Sequence, residues 1–198
     1  MSAGHSDDPH HDPAVAYESA KLGVWTFLAT EVLLFGALFT AYTVFRLTYP
    51  GLFHAEHEKL NRVLGAVNTV VLITSSLTVA LGIDAVKKGK AKLLTRYFGA
   101  TILLAGVFLG VKCVEYAEKF HHGLFPRTNI FFALYYMMTG IHGIHVLIGM
   151  GVLAYVIVLA RRGRFSEKYY TPVEMSGLYW HFVDLVWIYL FPLLYLAG

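Results

Sequence analysis

Several residues with acid–base or metal-ligand side chains lie inside long apolar stretches of this sequence, among them Glu31, Lys112, Glu115, His142, His145, His181 and Asp184. An ionised side chain at the centre of a lipid bilayer costs several kcal/mol by order of magnitude. Each of these groups must therefore be neutral, paired with another group, or turned toward a polar interior. Such residues are candidates for a functional site by default.

Spacing along a helix indicates which of these groups can meet. Lys112 and Glu115 are three residues apart, so they share a helix face and could form an ion pair. Both lie near the end of an apolar stretch, where a lysine can extend its ammonium group to the membrane surface. The sequence therefore predicts an ion pair at the interface.

The histidines are also spaced by three residues. His142 and His145 could bind a metal or a haem, since neutral imidazole is a good ligand, but no third ligand stands nearby. His181 and Asp184 could pair, because a carboxylate fixes an imidazole by accepting its N–H, and no nucleophile completes a catalytic triad. We predict no metal and no catalytic residue here, only hydrogen bonds that hold helices together.

The carboxyl of Glu31 is the most deeply placed of these groups. It is the only charged residue among the 24 between Lys21 and Arg46. A helix of that length spans roughly 36 Å, which is enough to cross a hydrocarbon core. We expect Glu31 to be protonated and to hydrogen-bond a neighbouring helix, or to take part in proton transfer.

The elements that position these groups are predicted to be all α-helical. The chain is 57% hydrophobic and 15% charged, with a mean hydropathy of +0.56, which is typical of a membrane protein. Backbone polar groups in a bilayer must be satisfied internally, which favours helices. The predicted transmembrane bundle has five helices, at residues 22–45, 64–86, 93–116, 130–159 and 177–196. A G-x-x-x-G pattern at Gly106 and Gly110 predicts a close helix contact in the third.

The two sides of the predicted bundle differ in charge. Residues 1–20 form a polar tail without the features of a signal peptide, and its histidines (His5, His10 and His11) are expected to be solvated. Residues 21–198 form the membrane domain. Ten lysines and arginines fall on the side of the N-terminus and five on the other. The positive-inside rule then places the N-terminus in the cytoplasm and the C-terminus outside. The basic residues form no nucleic-acid footprint.

Three segments of the sequence resemble motifs of the cytochrome c oxidase subunit III family. Residues 25–35 read WTFLATEVLLF, residues 139–149 read TGIHGIHVLIG, and residues 179–187 read YWHFVDLVW. Asn68 and the pair Glu115-Tyr116 also stand where this family has such residues. The similarity covers nearly the whole chain after Ala20. Before it is considered, a transporter, an oxidase subunit and a b-haem protein all remain open.

Two departures from the family pattern are visible. Larger members have seven helices, and this chain starts at what would be their third, so one wall of the family's lipid-filled cleft would have to come from another subunit. In addition, Lys112 stands where many members carry glutamine.

The resemblance implies a subunit without redox centres, since haem and copper belong to the neighbouring subunits I and II. Such a subunit packs on subunit I, contacts other membrane subunits and phospholipids, supports proton uptake and protects the oxygen-reducing site. Glu31 matches the buried carboxyl that reacts with carbodiimides. Glu115, His142, His145, His181 and Asp184 would form a structural polar network, while Arg161, Trp25 and Trp180 would contact lipid.

The sequence therefore predicts the short, five-helix subunit III of a bacterial haem–copper oxygen reductase in the cytoplasmic (inner) membrane. The nearest alternatives are the equivalent quinol oxidase subunit and an accessory protein of nitric oxide reductase. Outside the family, a proton-coupled transporter using Glu31 and Glu115, or a haem protein using His145 and His181, would also fit the residues.

Overall fold

The structure of the chain is a computed structural model that describes residues 13–167 and 169–196. Most of the predicted polar tail, including His5, His10 and His11, lies outside the described residues. The helices, in chain order, are α1 (Pro13–Thr48), α2 (Pro50–His57), α3 (Arg62–Lys87), α4 (Ala91–His121), α5 (Ile130–Arg161) and α6 (Thr171–Phe191), followed by a π-helical turn (Pro192–Leu196).

Five of these helices are long and apolar enough to cross a membrane, as predicted. Three of their ends differ from the predicted spans by more than a few residues. Helix α1 starts nine residues earlier, at Pro13, α4 ends five residues later, at His121, and α6 starts six residues earlier, at Thr171. The short α2 was not expected from the apolar pattern, because it lies between two spans. Proline at its first position favours the start of this helix, since proline lacks the N–H that would be unpaired there.

Local sequence signals set the ends of several helices. Asn61 begins α3 by accepting hydrogen bonds from the backbone N–H of Val63 and Leu64, both at 3.1 Å. Gly89 ends it with a φ of 69°, which allows the Lys90 N–H to reach the Ala85 carbonyl at 2.9 Å. A non-glycine residue would be strained in this conformation.

Helices α3, α4, α5 and α6 form a closed ring in which each packs against two neighbours. The most extensive contact is between α3 and α4, which are joined by a short turn. Helix α1 lies outside the ring, against α5 and α6. The functional candidates therefore divide into those inside the ring and those between α1 and the ring.

Glycine allows close approach at several contacts within the ring of helices, among them the contact between α5 and α6, and not at the predicted one. A Cβ atom at Gly149 would lie 2.8 Å from the ring of Trp180, so this position needs glycine. No atom lies within 4 Å of such a position at Gly106 or Gly110. Within this chain the predicted helix contact at this G-x-x-x-G does not form, because the pattern lies on an open face of α4.

Candidate functional site: a buried polar network

Three charged residues of α4 form a buried cluster, which we call the α4 ion cluster: Lys112, Glu115 and Lys119. The two ammonium groups lie 2.8 and 2.9 Å from the Oε2 and Oε1 atoms of Glu115, respectively. The exposed fractions are 6% for Lys112, 1% for Glu115 and 4% for Lys119. The predicted Lys112–Glu115 pair forms, but it is enclosed by the bundle and does not extend to the membrane surface.

Two tyrosines connect the α4 ion cluster to other elements. The Tyr195 hydroxyl, from the π-helical turn, donates to Glu115 at 2.8 and 3.0 Å from the two carboxylate oxygens. Lys112 donates to the hydroxyls of Tyr135 on α5 and Tyr195, at 3.0 and 2.9 Å. The cluster therefore joins α4, α5 and the end of α6 through charge-assisted bonds, which are stronger than neutral ones.

The α4 ion cluster holds two cations for one carboxylate, and aromatic rings face the excess charge. The Lys112 ammonium lies 5.0 Å from the ring centroid of Tyr135 and 5.4 Å from that of Trp187. The Lys119 ammonium lies 5.3 Å from the Tyr135 centroid. Cations at this distance from an aromatic face are attracted by its quadrupole, and more strongly where water is absent. This ring environment explains how Lys112 can be buried.

Glu31 and His145 meet between α1 and α5. Their Oε2 and Nε2 atoms are 2.9 Å apart, and both side chains are largely buried. The other ring nitrogen, Nδ1, lies 2.8 Å from the carbonyl oxygen of Ile141. The Tyr179 hydroxyl on α6 donates to the His145 carbonyl at 3.2 Å. As the sequence predicted, Glu31 bonds a neighbouring helix.

The hydrogen bonds of His145 define how protons are placed in this pair. A carbonyl only accepts, so Nδ1 must carry a hydrogen and donate to Ile141. Nε2 then either accepts from a protonated Glu31 or, as part of an imidazolium, donates to its carboxylate. In both states one proton lies between the two side chains, and the pair carries no net charge. This explains how Glu31 is accommodated in a membrane span.

His181 and Asp184 do not bond each other, contrary to the expectation that the carboxylate fixes the imidazole. Nδ1 of His181 lies 2.6 Å from the hydroxyl of Ser76 on α3. Both carboxylate oxygens of Asp184 are buried. Ser76 lies close to them, but neither oxygen has acceptable hydrogen-bond geometry with any described residue. The serine of the neighbouring helix takes the role that the sequence assigned to Asp184.

His142 is packed and not hydrogen-bonded. It is fully buried, and both ring nitrogens are without a hydrogen-bond partner among the described residues. Its ring contacts Phe108, with centroids 5.6 Å apart, and Trp187, at 5.4 Å. His142 and His145 thus lie in separate environments, because the first points into the ring of helices and the second toward α1. The prediction of a hydrogen-bonded histidine was right for His145 and wrong for His142.

The three candidate lipid-binding residues have different exposures. Trp25 is 55% exposed and Arg161 is exposed at the end of α5, so both can reach lipid. Trp180 is 0% exposed, and its indole N–H donates to Ser75 at 3.1 Å. The expectation of lipid contact at Trp180 was wrong, because Gly149 opens space for its ring inside the bundle.

Across the part of the chain that the structure describes, no three or more histidine, cysteine, aspartate or glutamate side chains converge as they would around a metal ion. Several of these side chains instead bond across elements, among them Glu31 with His145, His181 with Ser76, and Glu115 with Tyr195. The arrangement of the polar network therefore fits one chemical role best, which is to hold helices in register.

The match to a family model covers residues 4–198, and the family is described as cytochrome c oxidase subunit III. The chain belongs to this family. Subunit III proteins are components of haem–copper oxidases and assemble with the other oxidase subunits.

Relatives of the chain carry two kinds of name. It is 39% identical over 191 residues to cytochrome c oxidase subunit 3 of Thermostichus vulcanus, covering 96% of this chain and 91% of that protein. It is 34% identical over 194 residues to the same subunit of Bacillus sp. PS3, with the same two coverages. It is also 28% identical over 200 residues to quinol oxidase subunit 3 of Bacillus subtilis, covering 98% and 97%.

In this subunit III chain, sequence reasoning missed several members of the polar network: Ser75, Ser76, Lys119, Tyr135 and Tyr195. Lys119 could have been found, since it follows Glu115 by four residues and lies on the same helix face. The serines and tyrosines carry no such signal, because they belong to other helices.

Proposed function

We propose that this chain is the non-redox subunit III of a haem–copper oxygen reductase, packed on subunit I, with haem and copper held by subunits I and II. The observation that carries the proposal is that the acidic and histidine side chains of the family motifs bond other side chains of this subunit. Glu31 and His145 bond each other, and Glu115 bonds two lysines and a tyrosine. These groups hold the helices of the subunit in register, which supports a scaffold role.

The haem-protein alternative is less well supported. A haem ligated by His145 and His181 would need a free nitrogen on each ring. Both nitrogens of His145 are engaged, with Glu31 and with Ile141, so this ring has none left for the iron. The transporter alternative would require Glu115 to exchange protons, whereas its oxygens accept from two lysines and Tyr195.

The proposed function is tested by isolating the chain with an affinity tag from membranes under mild detergent. We expect subunits I and II to co-purify, and the haem spectrum to follow subunit I. In a strain that lacks this chain, the remaining oxidase should keep its haem spectrum but lose activity faster during turnover, because proton uptake is no longer supported. A Soret band in the isolated chain, or a chain that co-purifies without any oxidase subunit, would contradict the proposal.

The cellular placement belongs to the same proposal. The five spans make a multi-pass membrane protein, which we place in the bacterial inner membrane with its N-terminus in the cytoplasm. The basic turns after α3 and α5 support this orientation. A cysteine introduced at Arg162 should react with a membrane-impermeant maleimide only after the cells are opened, whereas one at Arg127 should react in intact cells. The reverse pattern would overturn the orientation.

The electron donor is proposed to be cytochrome c, because the Thermostichus vulcanus relative named for that donor is 39% identical, compared with 35% for the probable quinol oxidase subunit of Staphylococcus haemolyticus and 28% for that of Bacillus subtilis. Oxygen consumption by the purified complex should be faster with reduced cytochrome c than with a quinol. The opposite preference would favour the quinol oxidase alternative.

Phospholipid binding at Arg161 is the last part of the proposal. Arg161 borders a cavity of about 590 Å³ together with Lys92 and Arg96 of α4. None of the three has an ion-pair partner among the described residues, so a lipid phosphate would supply the missing charge. Arg161→Ala should reduce the phospholipid that co-purifies with the complex, as measured by mass spectrometry. Unchanged lipid content would argue against this site.

A further inference from the structure

A groove on the membrane-facing side of α3 and α6 has an arginine at its end. Its volume is about 570 Å³, and apart from Arg62 its lining is apolar: Val63, Ala66, Val67, Val70, Val71, Phe191 and Leu196. The groove lies at the membrane face where α3 begins and α6 ends. It is separate from the lipid site proposed at Arg161, because Arg161 ends α5 at the opposite face.

The shape of the groove follows from residue size. Val63, Val67 and Val70 recur at helical spacing, so they lie along one face of α3. Ala66 between them is small and leaves space. On the other side, Phe191 packs against α3 because Gly65 has no side chain, since a Cβ there would lie 2.8 Å from the Phe191 ring.

The depth of the groove matches one leaflet of a bilayer. From Arg62 to Val71 the helix rises roughly 14 Å, at about 1.5 Å per residue. That is close to half of a hydrocarbon core of about 30 Å. A chain lying in the groove would therefore run from the polar surface at Arg62 to near the midplane, as one acyl chain of a phospholipid does.

Arg62 is held in place by His57 and has no acidic partner among the residues that the structure describes. Its Nη2 atom lies 3.1 Å from Nε2 of His57, a buried residue of α2. Arginine only donates, so Nε2 accepts, and the imidazole positions the guanidinium. No described carboxylate forms an ion pair with Arg62, whereas nearby Glu56 pairs with Lys59 at 2.7 Å. The remaining N–H groups of Arg62 can bind a phosphate, which guanidinium groups recognise with two parallel hydrogen bonds.

We propose that this groove binds one phospholipid, with an acyl chain between α3 and α6 and the phosphate on Arg62. An apolar groove within a membrane span, with an unpaired cation at its surface end, complements a phospholipid in both polarity and charge. The inference does not rest on the oxidase assignment, because it uses only the membrane placement of the helices.

The test uses photo-crosslinking in native membranes. The photoreactive p-benzoylphenylalanine replaces Val67 in the groove or, as a control, Val107 on α4, with exposures of 46% and 51% in the wild-type protein. Both positions should yield adducts with the mass of a phospholipid. Adding Arg62→Gln should lower the lipid adduct at position 67 several-fold and leave that at position 107 unchanged. Arg127→Gln, which removes a charge from the loop at the same membrane face, should change neither.

Two results would overturn the proposal. One is a polypeptide adduct at position 67, which would show that another protein chain covers the groove. The other is a lipid adduct at position 67 with equal yield in wild type and Arg62→Gln, which would show only bulk lipid. Arg62→Lys keeps the charge and should restore most of the yield at position 67. If Arg62→Gln misfolded, the lipid adduct at position 107 would be lost as well, which separates misfolding from loss of the phosphate contact.

Discussion

Oε2 of Glu31 and Nε2 of His145 lie 2.9 Å apart and join α1 to the ring of four helices. Since Nδ1 of His145 donates to the Ile141 carbonyl, one proton lies between the two side chains. The contact therefore keeps an acid and an imidazole inside a membrane without a net charge. It also gives the outer helix a defined register against α5.

Replacing Glu31 separates the need for a hydrogen bond from the need for a titratable group. Glu31→Gln keeps a donor for Nε2, so oxygen reduction and thermal stability should stay close to wild type. Glu31→Leu leaves Nε2 buried without a partner, which costs about 1–3 kcal/mol. Thermal unfolding in detergent and oxygen consumption measure the two effects. Near-complete loss of turnover in fully assembled Glu31→Gln would show that the carboxyl has a chemical role.

Removing the carboxylate of the α4 ion cluster should destabilise the protein more than removing one of its two lysines. Glu115→Gln leaves two ammonium groups buried without a counter-charge, and breaking a buried pair in this way costs about 3–5 kcal/mol. Lys112→Met should cost much less, because Glu115 keeps its bonds to Lys119 and Tyr195. The double variant should recover part of the loss. Equal destabilisation by the two single changes, measured by thermal unfolding, would contradict this account.

Replacing Asp184 should not lower the stability of the protein, whereas replacing Ser76 of α3 should. Asp184→Asn removes a potential charge without losing a hydrogen bond to a described residue, so stability should be unchanged or higher. Ser76→Ala removes the partner of His181 and should cost on the order of 1 kcal/mol. Melting curves of the two variants provide the comparison. A large loss in Asp184→Asn would show that the carboxylate has a hydrogen-bond partner, which would be either Ser76 or a group of another subunit.

The contact between Gly149 and Trp180 gives a matched pair of glycine variants on α5. Gly149→Ala places a Cβ 2.8 Å from the indole ring, and such overpacking costs about 1–3 kcal/mol. Gly151→Ala has no atom within 4 Å, so it should stabilise the helix by up to about 1 kcal/mol. Gly149→Ala should lower the melting temperature and the amount of subunit retained in the complex, whereas Gly151→Ala should leave both unchanged or raise them. A shift in the same direction would show that the indole moves aside.

Apolar length was sufficient to predict the five spanning helices. Long apolar stretches such as residues 22–45, whose only charged residue is Glu31, satisfy their backbone polar groups in a bilayer by forming helices, so the number of spans followed directly. The start of α6 could not be found in this way. Its first turn contains Pro172 and Glu174, which lower the hydropathy although the residues are helical.

Pairs within one helix were predictable and pairs between helices were not. Lys112 and Glu115 share a face of α4 by spacing alone, and they bond. The same rule suggested His181 with Asp184, but Ser76 of α3 is the actual partner of His181. Spacing gives no information on which residue a neighbouring helix presents. Burial of Lys112 was missed for the same reason, since the rings of Tyr135 and Trp187 that face it lie on α5 and α6.

The closing contact of the ring, between α3 and α6, joins the second membrane span to the last. During synthesis, Ser75 and Ser76 must wait for α6 before their indole and imidazole partners arrive. Lys112 and Glu115 of α4 likewise wait for Tyr195, which is translated near the end of the chain. Until then the α4 ion cluster has its internal ion pairs and the bond from Lys112 to Tyr135, so its link to the end of the last membrane span is added only as synthesis finishes.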